Sequence, residues 1–262
     1  MRRLIAALGV ILYSAGALLS QDTVQAGYAV VTPATQTASV MSVFETFVQG
    51  SLQVGVFPPN LTASALLPIE VSASLAKTLG VAIANPNPAP ANVTMTVRRS
   101  DGTQLTSTTT SIVTRQQISK LITELFPGPG QGGFSTQVGI PAEFTGTLVI
   151  SSTSPVSIVG LKFRGPNYST VPVTDLAPSN TPIPTIIPGV GGLGAVLFPQ
   201  FVTGGGWGTE ISITNLTSTS LTVRVDTFNQ TGGPLTVRLN GQTASSFTNL
   251  AIPANGILTL LP

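Results

Sequence analysis

Ser74-Leu75-Ala76-Lys77 places a hydroxyl and an amine at the S-x-x-K spacing of penicillin-binding enzymes. In that pair the serine attacks an acyl carbon and the lysine helps to remove its proton. The companion motifs S-D-N and K-T-G are both absent, and a four-residue match arises by composition in a chain so rich in serine. Gly189-Val190-Gly191-Gly192-Leu193-Gly194 fits G-x-G-x-x-G. A nucleotide site needs a strand before that motif and a helix after it, so that phosphate meets a helix N-terminus. Here Pro182, Pro184 and Pro188 precede it and Phe198-Pro199 follows, so a linker is the better reading.

The acidic residues are scattered singly: Asp22, Glu45, Glu70, Asp101, Glu124, Glu143, Asp175, Glu210 and Asp226. No spacing among them supports a calcium loop or a glycosidase pair. Histidine and cysteine are absent. That excludes a histidine base, a cysteine nucleophile, and thiolate or imidazole metal sites. No catalytic residue, cofactor-binding residue or metal ligand is assigned, no cofactor is expected, and the chain is not read as an enzyme. The N-x-[ST] sequons at Asn60, Asn92, Asn167, Asn215 and Asn229 follow from composition. Two aromatics stand as candidate ligand contacts, Trp207 and Tyr168. Trp207, in Gly204-Gly205-Gly206-Trp207-Gly208, suits a sugar-stacking platform or a bulged strand whose indole covers a core.

The elements that would position these residues are strands. Of 262 residues, 42% are hydrophobic and 8% charged, against about 25% charged in ordinary soluble domains. Low charge with many β-branched and turn residues predicts an all-β chain. The net charge of +2 rests on 11 basic and 9 acidic residues, and no basic cluster fits a nucleic acid. Residues 80–105 and 210–235 align without a gap at an offset of 130. Ile83 falls on Ile213, Asn85 on Asn215, Val93 on Val223, Gly102 on Gly232 and Leu105 on Leu235. Each repeat reads as two alternating strands, with Asn85 and Asn215 in turn roles at strand ends. Farther on, Ile252 and Ile257 match Val113 and Ile118 at an offset of 139.

Residues 1–26 read as a signal peptide: Arg2-Arg3, an apolar run to Leu19, then Val24-Gln25-Ala26 before the cleavage point. The alternative is an uncleaved anchor, the only route to a membrane. Residues 27–63 form N-terminal strands with a hairpin turn at Gln49-Gly50-Ser51. Residues 64–174 form a first β-sandwich unit, 175–196 a Pro/Gly linker, and 197–262 a second unit. One short amphipathic helix is expected at about 115–125. Thr114 and Gln117 have capping-box spacing there, and Ile118, Leu121, Ile122 and Leu125 share a helical face. Residues 40–57 align with 156–173 at an offset of 116, with Val40, Val43 and Phe47 on Val156, Val159 and Phe163. The second unit is therefore either truncated or completed by residues 40–57.

The blocks TLGVAIANPNPAPANVTMTVRRSDGT, FTGTLVISSTSPVSIVGLKFRG and FPQFVTGGGWGTEISITNLTSTSL, with Ser245-Ser246-Phe247 and Ile252-Pro253-Ala254, resemble a tandem repeat unit. That unit occurs in long secreted proteins of soil bacteria such as acidobacteria. The resemblance covers most of residues 40–262 and implies exported β-sandwich modules, with no activity carried onto any residue. The expectation is two Ig-like β-sandwich units in tandem with Greek-key-like pairing. The expected role is structural, spacer or adhesive, non-enzymatic, and secreted or at the cell surface. Extracellular polysaccharide or other surface proteins are the expected partners. The alternative is a carbohydrate-binding module using Trp207 and Tyr168.

Overall fold

The computed structural model describes residues 42–46, 52–56, 59–128, 138–176, 201–205 and 208–262. The expected leader, most of the Pro/Gly linker and Trp207 lie outside these. The chain divides into two compact units, the first running to Arg99 and over Gln104–Leu176, the second comprising Ser100–Thr103 and Ala177–Pro262. The architecture is all-β. Among the described residues no helix is long and apolar enough to cross a membrane.

Unit 1 begins with a hairpin of β1 (Ser42–Thr46) and β2 (Leu52–Val56). Then come β3 (Thr62–Ser72), β4 (Lys77–Ala84), β5 (Ala91–Arg99), β6 (Gln104–Ile112) and β7 (Gln117–Leu121). A single helical turn, α1 (Ile122–Leu125), leads to β8 (Glu143–Arg164), β9 (Asn167–Val171) and β10 (Thr174–Asp175). The long strand β8, 22 residues, organises all of this. Its first half pairs with β3 on one edge and β5 on the other. Past Ser152-Thr153-Ser154-Pro155 it changes partners, to β4 and β9. Two layers result, β10-β3-β8-β5-β6 and β9-β8-β4-β7, sharing one strand that passes between sheets at its bend. All these pairings are antiparallel.

The core lies between the layers. Leu67, Ile69, Met95, Leu148 and Ile150 come from one layer, and Leu79, Ile83 and Ile158 from the other, all fully buried. Alternation along β5, Ala91-Asn92-Val93-Thr94-Met95-Thr96-Val97, buries the apolar residues and turns the polar ones away. Gly160 shows how close the layers come: a Cβ there would lie 2.6 Å from Leu67 Cδ2. With β3 to β7 as strands A to E and the halves of β8 as F and G, β4–β7 and β5–β8 reproduce the B–E and C–F pairs of the immunoglobulin plan. The outer strands are exchanged, because β3 pairs with the first half of β8 and β4 with its second half.

Unit 2 contains β11 (Ile211–Thr214), β12 (Leu221–Asp226), β13 (Val237–Leu239), β14 (Gln242–Ala244), β15 (Ser246–Ile252) and β16 (Ile257–Leu260). Here β11 pairs with β16 as β4 does with β7, and β12 with β15 as β5 does with β6. Gly102 and Gly232, both at φ 84, occupy equivalent left-handed turn positions. The β13–β14 hairpin, turned by Asn240 and Gly241 at positive φ, accounts for the extra residues of the second repeat.

Several expectations change. The helix expected at about 115–125 shrinks to Ile122–Leu125, and Gln117–Leu121 is strand. Arg115 at φ 55 breaks any helix starting at Thr114, and Ile118 lies directly across from Ile83 of β4. The carboxylate that caps the short turn is Glu124, which accepts from the Leu121 N–H at 2.8 Å. The 139-residue offset near the C-terminus becomes 140. Ile83 pairs with Ile118 and Ile213 with Leu258, so Leu258, not Ile257, stands where Ile118 does. Asp175, placed at the start of the linker, pairs with Ala65 and accepts a 2.7 Å bond from Thr62 Oγ1. The β1–β2 hairpin runs beside β9, through β2, and is grouped with unit 1.

Candidate functional site

The S-x-x-K residues are not assembled as a nucleophile and its base. They lie on the β3–β4 turn, where Ser74 Oγ bonds Ser72 Oγ at 3.0 Å. Lys77 Nζ instead meets the Glu70 carboxylate. Lys162 from β8 approaches the same carboxylate, with Nζ 2.5 Å from Oε2. Two lysines and one glutamate therefore converge where β3, β4 and β8 come together, near a shallow cleft of about 360 Å³ lined by Ser72, Lys77, Thr78, Leu121 and Ile140. Burial raises the Glu70 pKa, but the hydrogen bonds and positive charge of Lys162 and Lys77 outweigh it, so the group sits below its ordinary value.

This yields a prediction. A depressed folded-state pKa contributes stability that is present above the unfolded value of about 4.3 and is lost as pH falls through the folded value. Glu70→Gln should therefore be less stable than the parent at pH 7. The gap should narrow as pH falls below about 4. Urea midpoints for both proteins from pH 7 to pH 3 measure it, and a constant gap would show that the carboxylate charge contributes nothing.

Tyr168 lies on β9 opposite Phe163 of β8, with ring centroids 5.8 Å apart and planes tilted by 36°. Gly160 points into the core at Leu67, so Phe163, three residues along, stands on the outer face with Tyr168. Tyr168 is half-buried and Phe163 lies against one side of its ring. The structure does not describe Trp207, so of the two candidate contacts it places Tyr168 alone. Phe163 was open to recognition in the sequence, as an apolar residue out of phase with Ile158 and Gly160 at the end of an alternating run.

The two repeated asparagines are both fully buried. Asn85 Nδ2 donates to the carbonyls of Ala89 at 2.8 Å and Ile112 at 3.0 Å, and Oδ1 accepts from the Asn87 N–H at 3.0 Å. Asn215 Nδ2 donates to the carbonyls of Thr219 at 2.7 Å, Pro253 at 2.9 Å and Ile252 at 3.2 Å, and Oδ1 accepts from the Thr217 N–H at 2.9 Å. Each pins the turn after its own strand to the end of a later strand, as expected of a side-chain-to-backbone role. Such amides do no chemistry on a substrate, since their donors and acceptors are already engaged.

Among the described residues, the strands of unit 2 have fewer partners than their equivalents in unit 1. In unit 1, β4 is flanked by β7 and β8, and β5 by β6 and β8. In unit 2, β11 has β16 on one edge and β12 has β15, and among the described residues no strand pairs with either on the other edge. Among the described residues no group of acidic side chains is arranged to hold a metal ion. No family model, curated protein or solved structure matches the chain.

Proposed function

We propose that the protein is a non-enzymatic, secreted or cell-surface β-sandwich repeat protein with a structural, spacer or adhesive role. The observation that carries this reading is the repeated frame. The same four strands and the same buried asparagine, bonded to equivalent carbonyls 130–140 residues apart, occur twice in one chain. A frame built twice with its polar groups turned onto its own backbone supplies rigidity and length. The low charge and hydroxyl-rich strands such as β6, Gln-Leu-Thr-Ser-Thr-Thr-Thr-Ser-Ile, suit contact with other chains or glycans. The leader-like N-terminus and the resemblance to exported repeat units support the location.

Expressed with its own N-terminus, the protein should be recovered outside the cytoplasm and should be cut by added protease on intact cells. Retention in the cytoplasm would overturn the location. A hydrolase activity abolished by one carboxylate substitution would overturn the role. The exposed part of Tyr168 favours a second reading as a carbohydrate-binding module. On the structural reading, a glycan array should show no ligand whose retention falls tenfold in Tyr168→Ala or Trp207→Ala. Such a ligand would establish the second reading.

A further inference from the structure

Along β11 and β12, unit 2 exposes residues whose equivalents in unit 1 are buried. Ala91 on β5 is 0% exposed, and its equivalent on β12, Leu221, is 39% exposed. Ile83, Val93 and Met95 are buried, whereas Ile213, Val223 and Val225 are half-buried. Ile112 and Ile252 are both buried, as are Asn85 and Asn215, whereas Gly102 is buried and its equivalent Gly232 is exposed. On β11 and β12 the difference coincides with the strand that flanks β4 and β5 in unit 1, which is β8. What unit 2 lacks, among the described residues, is a strand of that kind.

The sequence of β8 indicates the occupant. Its second half turns through a hairpin into β9, and residues 40–57 repeat that segment at an offset of 116. The structure pairs residues 42–46 with 52–56 as antiparallel strands, β1–β2, one residue out of the register that β8 and β9 would give at that offset. β2 runs beside β9, while β1 pairs among the described residues with β2 alone. Natural edge strands are guarded by lysine, proline or inward charges. β1, Ser-Val-Phe-Glu-Thr, carries one glutamate, and β11, Ile-Ser-Ile-Thr, carries no charge and no proline. Two unguarded edges, one of them built like the strand that the other lacks, are suited to strand addition.

We propose that β11 of unit 2 receives β1 from a second copy of this chain, joining copies head to tail. The two surfaces are unlike, so the contact leaves one free donor and one free acceptor at the ends and extends into open chains of subunits. The register follows from unit 1. Ala82 pairs with Val159 there, and the offsets of 130 and 116 carry that pair onto Ser212 and Val43. The inference goes beyond the structural reading above and does not depend on where the protein acts.

The chain has no cysteine, so a disulfide reports only residues that are introduced. Full-length Val43→Cys and Ser212→Cys, mixed under mild oxidation, should give a cross-linked dimer well above that formed by either variant alone, rising with concentration. A second arm uses Ser212→Pro. The Asn215 N–H bonds Gly256 on the β16 side, so by the alternation of an antiparallel ladder the Ser212 N–H points to the open edge. Proline there removes a donor that only an added strand would use. The parent should sediment as species that grow with concentration, and Ser212→Pro as a monomer with its thermal midpoint kept. Two results overturn the proposal. One is no excess of mixed dimer, with parent and Ser212→Pro equal in size. The other is a Val43→Cys/Ser212→Cys double variant that closes within single chains at every dilution.

Discussion

Asn85→Ala should destabilise unit 1 by roughly 2–3 kcal/mol, among the larger effects available to a polar residue. The side chain is fully buried, and of the groups it serves the Ile112 carbonyl is buried with it. Its removal leaves the buried Ile112 carbonyl unpaired and turns the Ala89 carbonyl and the Asn87 N–H, both nearer the surface, over to solvent. Each buried group left unpaired costs about 1–3 kcal/mol, and partial relaxation brings the sum below simple addition. Asn85→Asp sharpens the test. It keeps the shape and the acceptor but sets a carboxylate against two carbonyl oxygens. At neutral pH it should cost at least as much as alanine, and it should recover in part when acid protonates the carboxylate. Asn215→Ala should act likewise in unit 2, through Thr219, Ile252 and Pro253. Urea unfolding with amide exchange assigned to each unit separates the two. A loss under ~1 kcal/mol would show that backbone turns alone hold these strand ends.

The equivalent isoleucines should respond unequally. Ile83→Ala should cost about 2–5 kcal/mol, because a fully buried side chain leaves a cavity between two packed layers. Ile213→Ala, at the equivalent position but on a strand with one flank unpaired among the described residues, should cost on the order of 1 kcal/mol. Read from sequence alone, the two positions promise equal losses. The asymmetry comes from β8, which places Ile158 across from Ile83 and has no described counterpart beside Ile213. Equal large losses would mean that Ile213 is covered in solution.

The all-β class was legible because periodicity two and scarce charge leave little alternative, and the repeat identified both asparagines before any geometry. Three features were not legible, each for a physical reason. The 117–125 segment satisfies a helical spacing at Ile118, Leu121, Ile122 and Leu125, and Gln117–Leu121 has no two-residue alternation, since Ile118 and Leu121 fall on opposite faces of a strand. Pairing with β4 decides it, a partner that local pattern does not contain. The one-residue slip between offsets 139 and 140 arose because Ile257 and Leu258 are both apolar. Only the ladder to β11 distinguishes them. Finally, Ser152-Thr153-Ser154-Pro155 reads as a break between two strands. In the fold it is a bend inside one, because both halves find partners on either side. Of the candidate ligand contacts, Tyr168 was locatable from its hairpin, whereas its tilt against Phe163 depends on side-chain packing across strands.

The position of β8 also sets a timetable. A ribosome makes the chain from its N-terminus, at about 5–20 residues per second. Strands β3 to β7 are complete by Leu121, yet β3 and β5 have no shared neighbour until residues 143–152 are made, and β4 lacks its second flank until Arg164. For roughly 2–8 seconds of synthesis the nascent unit must hold its strands as unfinished layers, with Leu67 and Ile83 uncovered. One late strand then closes both layers in a single event. Slow codons placed soon after Leu121 would lengthen the interval in which nascent chains can pair with one another, and slow codons after Arg164 would not.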